Sequence, residues 1–131
     1  MVVVMISVIA ALVEKDNKYL IAKRKEGDEP SIGKWEFPGG KMEPGENERQ
    51  AVEREIKEEF GVTVKAKEYI TSSIWDYPTR TIEVRLYRCE YIEGEFNLYV
   101  HSEIKFVSKE ELLNFDYAPA DRALARFIAG N

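Results

Sequence analysis

The sequence predicts an α/β sandwich of the α+β kind, a central mixed β-sheet covered by helices on both faces. Three observations carry this expectation. The run 2–13 is rich in β-branched residues, as a buried strand requires. Three further strand-like segments follow, at 62–71, 81–90 and 103–107. They are interleaved with segments of helical period at 47–60 and 119–128, which a mixed sheet with helices on each side accommodates.

Taken in order, the first strand ends at the polar turn Glu14-Lys15-Asp16-Asn17-Lys18 and resumes over 19–23, a hairpin pattern. Residues 25–34 are polar, with two glycines and one proline, and predict an exposed loop. The helix 47–60 is the best-marked element. Pro44-Gly45 break the chain before it, Asn47 is a good N-cap with Gln50 three residues on, and Gly61 stands where a left-handed cap belongs. Val52, Ile56 and Phe60 give its buried stripe. In 81–90, Ile82, Val84 and Leu86 alternate with Glu83 and Arg85, so one face is buried. Ser108 to Glu111 form a capping box opening a short helix. The closing helix should bury Ala123, Leu124, Phe127 and Ile128.

The 131 residues fit one domain, 1–131, and 44% hydrophobic with 33% charged residues describes an ordered globular chain. A net charge of −5 argues against a broad face for nucleic acid, though a small anion remains acceptable beside a metal ion and local cations. Cys89 is the only cysteine, so no internal disulfide forms and the residue reads as a small apolar group on a strand. The first apolar run has no basic residue before it and is too short to span a bilayer as a helix; the expectation is a cytoplasmic protein without membrane association.

On the helix 47–60, Glu55, Glu58 and Glu59 fall within one arc of about 100°. Like charges at these spacings repel, and the C-terminal turn disfavours anions. A solvated acidic face partnered by Arg54 and Lys57 is one reading; a hard divalent cation with oxygen ligands, naturally Mg2+, is the other. Upstream, Glu36-Phe37-Pro38-Gly39-Gly40-Lys41 offers either a tight turn or a backbone able to approach a ligand closely.

Gly40, five residues, Glu46, seven residues, then Arg54-Glu55-Ile56-Lys57-Glu58-Glu59-Phe60-Gly61-Val62 match every position of the Nudix box, 23 residues in all. With Trp35 to Lys41 and the late Ala118-Pro119-Ala120-Asp121, the whole chain resembles the MutT-like branch of the Nudix hydrolases. The resemblance implies a Nudix-type α/β/α sandwich with a catalytic loop–helix. It implies Mg2+, or Mn2+, held by Glu55, Glu58, Glu59 and the Gly39 carbonyl, with Arg54 and Glu46 as a structural pair. The implied reaction is water attack on a phosphorus of a nucleoside triphosphate, ordinary or modified (8-oxo-dGTP or a CTP analogue, for example), releasing monophosphate and pyrophosphate.

Outside the box the readings stay open. Glu103, Glu58 and His101 are the candidate general bases, with Glu103 preferred and a structural role equally open for His101, the sole histidine. Arg24 and Lys41 are candidate phosphate contacts, although either could simply balance acidic charge. Tyr77, Trp35 and Phe37 could stack on a base or belong to the core. By the resemblance, Asp121 matches the position that reads the base edge; capping the last helix is its other reading. The implied partner is a small nucleotide, with the protein a monomer or homodimer. ADP-ribose or dinucleoside polyphosphate hydrolysis is the alternative within the same chemistry, and a silent nucleotide-sensing module the alternative outside it.

Overall fold

A computed structural model of the chain describes residues 4–25 and 32–131. Strands β1 (Met5–Lys15) and β2 (Lys18–Arg24) form the expected hairpin. Its two-residue turn is Asp16-Asn17, with φ of 53° and 63°, the left-handed pair that matches the twist of the flanking strands. The start of the 2–13 run and most of the 25–34 loop lie outside the described residues. Two short strands, β3 (Trp35–Glu36) and β4 (Gly39–Lys41), occupy what the sequence presented as a glycine turn. They are too short for any periodicity to show.

Helix α1 (Glu48–Phe60) follows, then β5 (Thr63–Tyr77), β6 (Arg80–Glu93), β7 (His101–Val107), a 3-10 helix (Lys109–Asn114) and α2 (Pro119–Ala129). The sheet runs β3-β2-β1-β6-β5, with β4 also on β1 and β7 also on β2. β1 and β6 are parallel from Met5↔Thr81 to Glu14↔Glu90, and the other pairs are antiparallel, so the sheet is mixed as expected. β1 stays with β2 only at Glu14↔Tyr19 and Lys15↔Lys18, then takes β4 as its partner at Val8, Ile9 and Ala10. That parting of β1 from β2 leaves room for the functional side chains.

Both faces of the sheet are covered. Ile9, Ala11 and Val13 pack with Val52, Ile56 and Phe60 of α1, whereas Ala10 and Leu12 pack with Leu112 of the 3-10 helix and Leu124 and Ile128 of α2. The two-residue period of β1 thus feeds two cores. β6 does the same: Val84 and Leu86 join the α2 side, Tyr87 and Cys89 the α1 side. The middle of β6, from Val84 to Cys89, therefore contributes to both cores.

α1 is capped as its sequence predicts. Asn47 accepts the Gln50 N–H, the Gln50 side chain returns to the Asn47 N–H, and Gly61 closes the helix at φ 74° with its N–H on the Lys57 carbonyl. Full burial of Val52, Ile56 and Phe60 contributes about 1.5–3 kcal/mol each, enough to hold a helix whose exposed face is crowded with charge. Ser108 and Glu111 form the expected capping box, but the turn they open is 3-10 rather than α. α2 departs from its predicted face. Ala120, Asp121, Leu124, Ala125 and Ile128 are buried, whereas Ala123 is exposed and Phe127 is 43% exposed. The rows 120/124/128 and 121/125 meet the sheet, leaving 123 and 127 on the far edge. No helix among the described residues is long and apolar enough to cross a membrane.

Candidate active site

The loop from Gly39 to Asn47 is tied to α1 by one side chain. Arg54 gives Nε and Nη2 to the two oxygens of Glu46 at 2.6 and 3.0 Å, a bidentate pair, and Nη2 also reaches the Lys41 carbonyl at 2.9 Å. Glu46 in turn accepts the Glu43 N–H at 2.8 Å. The Arg54 bonds and that N–H hold the Glu46 carboxyl below the usual carboxylate range, and the carboxylates around Arg54 raise its own pKa. The expected Arg54–Glu46 pair is therefore present. The third nitrogen, Nη1, lies 3.0 Å from Glu55 Oε1 and 3.0 Å from Glu58 Oε2.

The three box glutamates do not converge on one point, and among the described residues no cluster of three or more acidic, His or Cys side chains is gathered at ligand distance. Like charges at helical spacing repel, and the nearest cation, Arg54, draws Glu55 and Glu58 to itself. Glu58 stays 55% exposed; Glu55 and Glu59 are largely covered. Glu59 turns inward, where burial, Glu36 and Glu55 push its carboxyl up to about 10. Its Oε1 is buried with no hydrogen-bond partner. The Glu55 carboxylate lies against Gly40, where an added Cβ would stand 2.6 Å from Glu55 Cδ. A buried carboxyl with an orphan oxygen, a second carboxylate touching it and a third within the same arc make a donor set suited to a hard divalent cation.

Beside Gly40 opens a cleft of about 400 Å³. It gathers most of the predicted substrate residues: Arg24, Lys41, Tyr77 and Asp121, together with Gly39 and Phe37. Glu36 and Arg80 also line it. Neither was singled out from the sequence, because nothing in a two-residue strand or a hairpin end shows which way a side chain points. Arg24 Nη1 is 3.0 Å from Glu36 Oε1. Asp121 is 7% exposed and its Oδ1 accepts the Phe37 N–H at 3.0 Å. Burial, then the Glu36 charge, raises its carboxyl well above the usual range. The helix-cap reading of Asp121 does not hold: α2 begins at Pro119 with Ala118 as N-cap and no side-chain cap bond.

Other candidates fall elsewhere. Trp35 is a core residue, edge-on to Phe115 at 5.4 Å, and does not line the cleft. Phe37, though at the cleft, is 3% exposed and stacked on Tyr117 at 5.8 Å. Glu103 is not brought to the glutamates of α1; its side chain is 46% exposed and pairs with Lys105 at 3.5 Å. His101 is 3% exposed, beneath the C-terminal turn of α1, with its ring stacked on Phe60 at 5.2 Å.

A family model described as the NUDIX domain matches residues 4–128. The chain is 38% identical over 117 residues to the CTP pyrophosphohydrolase of Escherichia coli K12, a match covering 89% of this chain and 86% of the relative. It is 32% identical over 90 residues to the 8-oxo-dGTP diphosphatase of the same organism, covering 69% and 70%. The solved MutT protein of Methanosarcina mazei Go1 superposes with a TM-score of 0.83 at 26% identity, over 98% of this chain and 93% of that one. A box carried by a capped helix beside a cleft, on a fold shared along nearly the whole chain, makes this protein a member of the Nudix family, a MutT-like pyrophosphohydrolase.

Proposed function

We propose that the chain hydrolyses a nucleoside triphosphate, ordinary or modified, to nucleoside monophosphate and pyrophosphate with Mg2+, or Mn2+ in its place. The observation that carries this reading is the chemical make-up of the cleft. The buried carboxyl of Asp121 shares its wall with Gly39, Gly40 and Lys41, Glu55 lies against Gly40, and Glu36, 12% exposed, lines it as well. A base against Asp121 would leave its phosphates to Lys41 and the glycines.

Asp121 and Glu36 are suited to a base edge with amino or imino donors, and a protonated Asp121 also donates. Cytosine and 8-oxoguanine, the bases in the names of the two relatives, both carry an amino group. Lys41 meets the phosphates, while Arg24, paired to Glu36, balances that carboxylate's charge. Glu55, Glu58, Glu59 and the Gly39 carbonyl would hold the divalent cation. When bound, that ion neutralises phosphate oxygens and acidifies water. Arg54 and Glu46 keep the glycine loop on the helix. Water attacks the β-phosphorus, the bond from that phosphorus to the oxygen of the α-phosphate breaks, and pyrophosphate leaves carrying the water oxygen. Glu58, the most exposed of the three, takes the water's proton, since Glu103 points away from α1.

The test is a Mg2+-dependent hydrolysis screen with product identification over the normal (d)NTPs, 8-oxo-dGTP, modified CTPs, ADP-ribose and diadenosine polyphosphates, with Glu58→Gln as control. Monophosphate plus pyrophosphate from one triphosphate group, lost in the control, supports the reading and names the base. AMP from ADP-ribose alone would overturn the substrate class, and no turnover at all would leave a binding module.

A further inference from the structure

His101 is the sole histidine of the chain, and it is buried between Glu36 at the cleft wall and Phe60 of α1. A β-bulge puts it there. In β7, Ile104 and Phe106 pack on the α1 side, whereas Val107 enters the core on the other side. On that alternation residue 101 would share the face of Glu103 and Val107. The register against β2 slips, however, from Lys23↔Glu103 to Arg24↔His101, so Ser102 is an extra residue and His101 turns under α1.

The ring has one good bond. Nε2 stands 2.8 Å from Glu36 Oε2, while Glu59 Oε1 is 3.9 Å away and Nδ1 has no partner. Nδ1 has no partner, whereas Nε2 faces a carboxylate oxygen that can only accept, so Nε2–H donates to Glu36. The other oxygen of Glu36 accepts Arg24 Nη1 at 3.0 Å. The Glu36 carboxylate is thus clamped through both oxygens, with its plane fixed at the cleft wall. Stacking on Phe60 at 5.2 Å and 9° ties the ring to the residue next to Glu59.

We propose that His101 is a positioning residue for nucleotide discrimination: it orients the Glu36 carboxylate at the cleft wall and keeps it in register with the C-terminal turn of α1. The proposal rests on the nucleotide reading above. It differs from a merely structural histidine in acting through one acceptor. Glutamine at 36 offers one oxygen where Arg24 and Nε2–H need two, so Glu36→Gln should remove most of the effect of losing the donor.

Steady-state kinetics on the nucleotide panel with His101→Phe, His101→Gln, Glu36→Gln and the double variant His101→Phe/Glu36→Gln decide this. His101→Phe keeps an aromatic ring against Phe60 but has no N–H. It should raise KM for the preferred nucleotide about tenfold, as loss of a charge-assisted bond implies, with kcat within about threefold of wild type. The preference between the best two bases should shrink. His101→Gln restores a donor and should recover most of that loss even if its melting temperature is lower. The double variant should be little worse than Glu36→Gln alone. Unchanged KM and base preference in His101→Phe, or losses that multiply in the double variant, would overturn the proposal.

A second measurement covers variants that fail to fold. With one histidine, the imidazole 15N signals need no assignment. They should report the Nε2–H tautomer, shift in Glu36→Gln, and move when a non-hydrolysable α,β-methylene triphosphate and Mg2+ are added. The opposite tautomer, or a ring indifferent to Glu36→Gln, ends the proposal. A wild-type chain that turns over no triphosphate but keeps the tautomer and the Glu36 response overturns the nucleotide reading instead.

Discussion

The carboxylate of Glu55 fills the space that a side chain at Gly40 would need: an added Cβ would lie 2.6 Å from Glu55 Cδ and 2.6 and 2.7 Å from its two oxygens. Its neighbour Gly39 is crowded differently, with a Cβ there meeting the Ile9 carbonyl oxygen at 1.9 Å. The adjacent glycines therefore serve separate ends, one giving room to a functional carboxylate and one allowing two backbones to meet.

The two alanine variants should separate these roles. Gly40→Ala pushes only the end of a flexible side chain, so the fold should survive with a melting temperature near wild type. Displacing Glu55 by about 1 Å should cost activity about 100-fold. Gly39→Ala must move the β1–β4 backbones and should lose about 3 kcal/mol or more in denaturant unfolding. Similar stability losses in both variants would sink this division.

Glu103→Gln should leave turnover within about threefold of wild type, because its side chain faces Lys105 and solvent rather than α1. Glu58→Gln should lower kcat about 100-fold, in the range general-base removal produces. The comparison requires only initial rates at saturating nucleotide and metal. A steep fall in Glu103→Gln would return the base role to β7.

Asp121 gives stability a pH dependence with a definite sign. Burial raises its folded-state pKa well above the ordinary 3.8, so the folded chain holds the proton more tightly than the unfolded one. The associated stability is complete below the unfolded pKa and is lost as pH rises through the folded one. Asp121→Asn keeps an oxygen to accept the Phe37 N–H and removes the titration. Its melting temperature relative to wild type should therefore climb between pH 5 and pH 8. Parallel melting-temperature profiles for the two proteins would show that Asp121 is not held protonated.

Cys89 has no exposed surface, and burial together with the Glu53 charge pushes its thiol up to about 12. Neither access nor thiolate is available to a reagent. An aromatic disulfide reagent should label the native protein only at the rate of unfolding, and fully in denaturant. Rapid labelling of native protein would contradict the packing of β6 against α1.

The features legible in the sequence were those set by local rules. Asn47, Gln50 and Gly61 announced both ends of α1 because capping needs only a few adjacent residues, and the Asp16-Asn17 turn, β6 and the Ser108 capping box could be read for the same reason. The spacing of Glu55, Glu58 and Glu59 put them in one arc because 3.6 residues per turn leaves no choice. Tertiary structure decided where distant segments meet. It chose which rows of α2 face the sheet, leaving Phe127 outside and drawing Asp121 to the Phe37 amide. It set the one-residue slip in β7 that separates His101 from Glu103, and it brought Glu36 from a two-residue strand to face both Arg24 and His101. Strand pairing carries no local trace of a bulge, since the extra residue is defined only against its partner strand. The box and its helix could thus be read along the chain, whereas the cleft that gives the box something to act on exists only where β1 parts from β2.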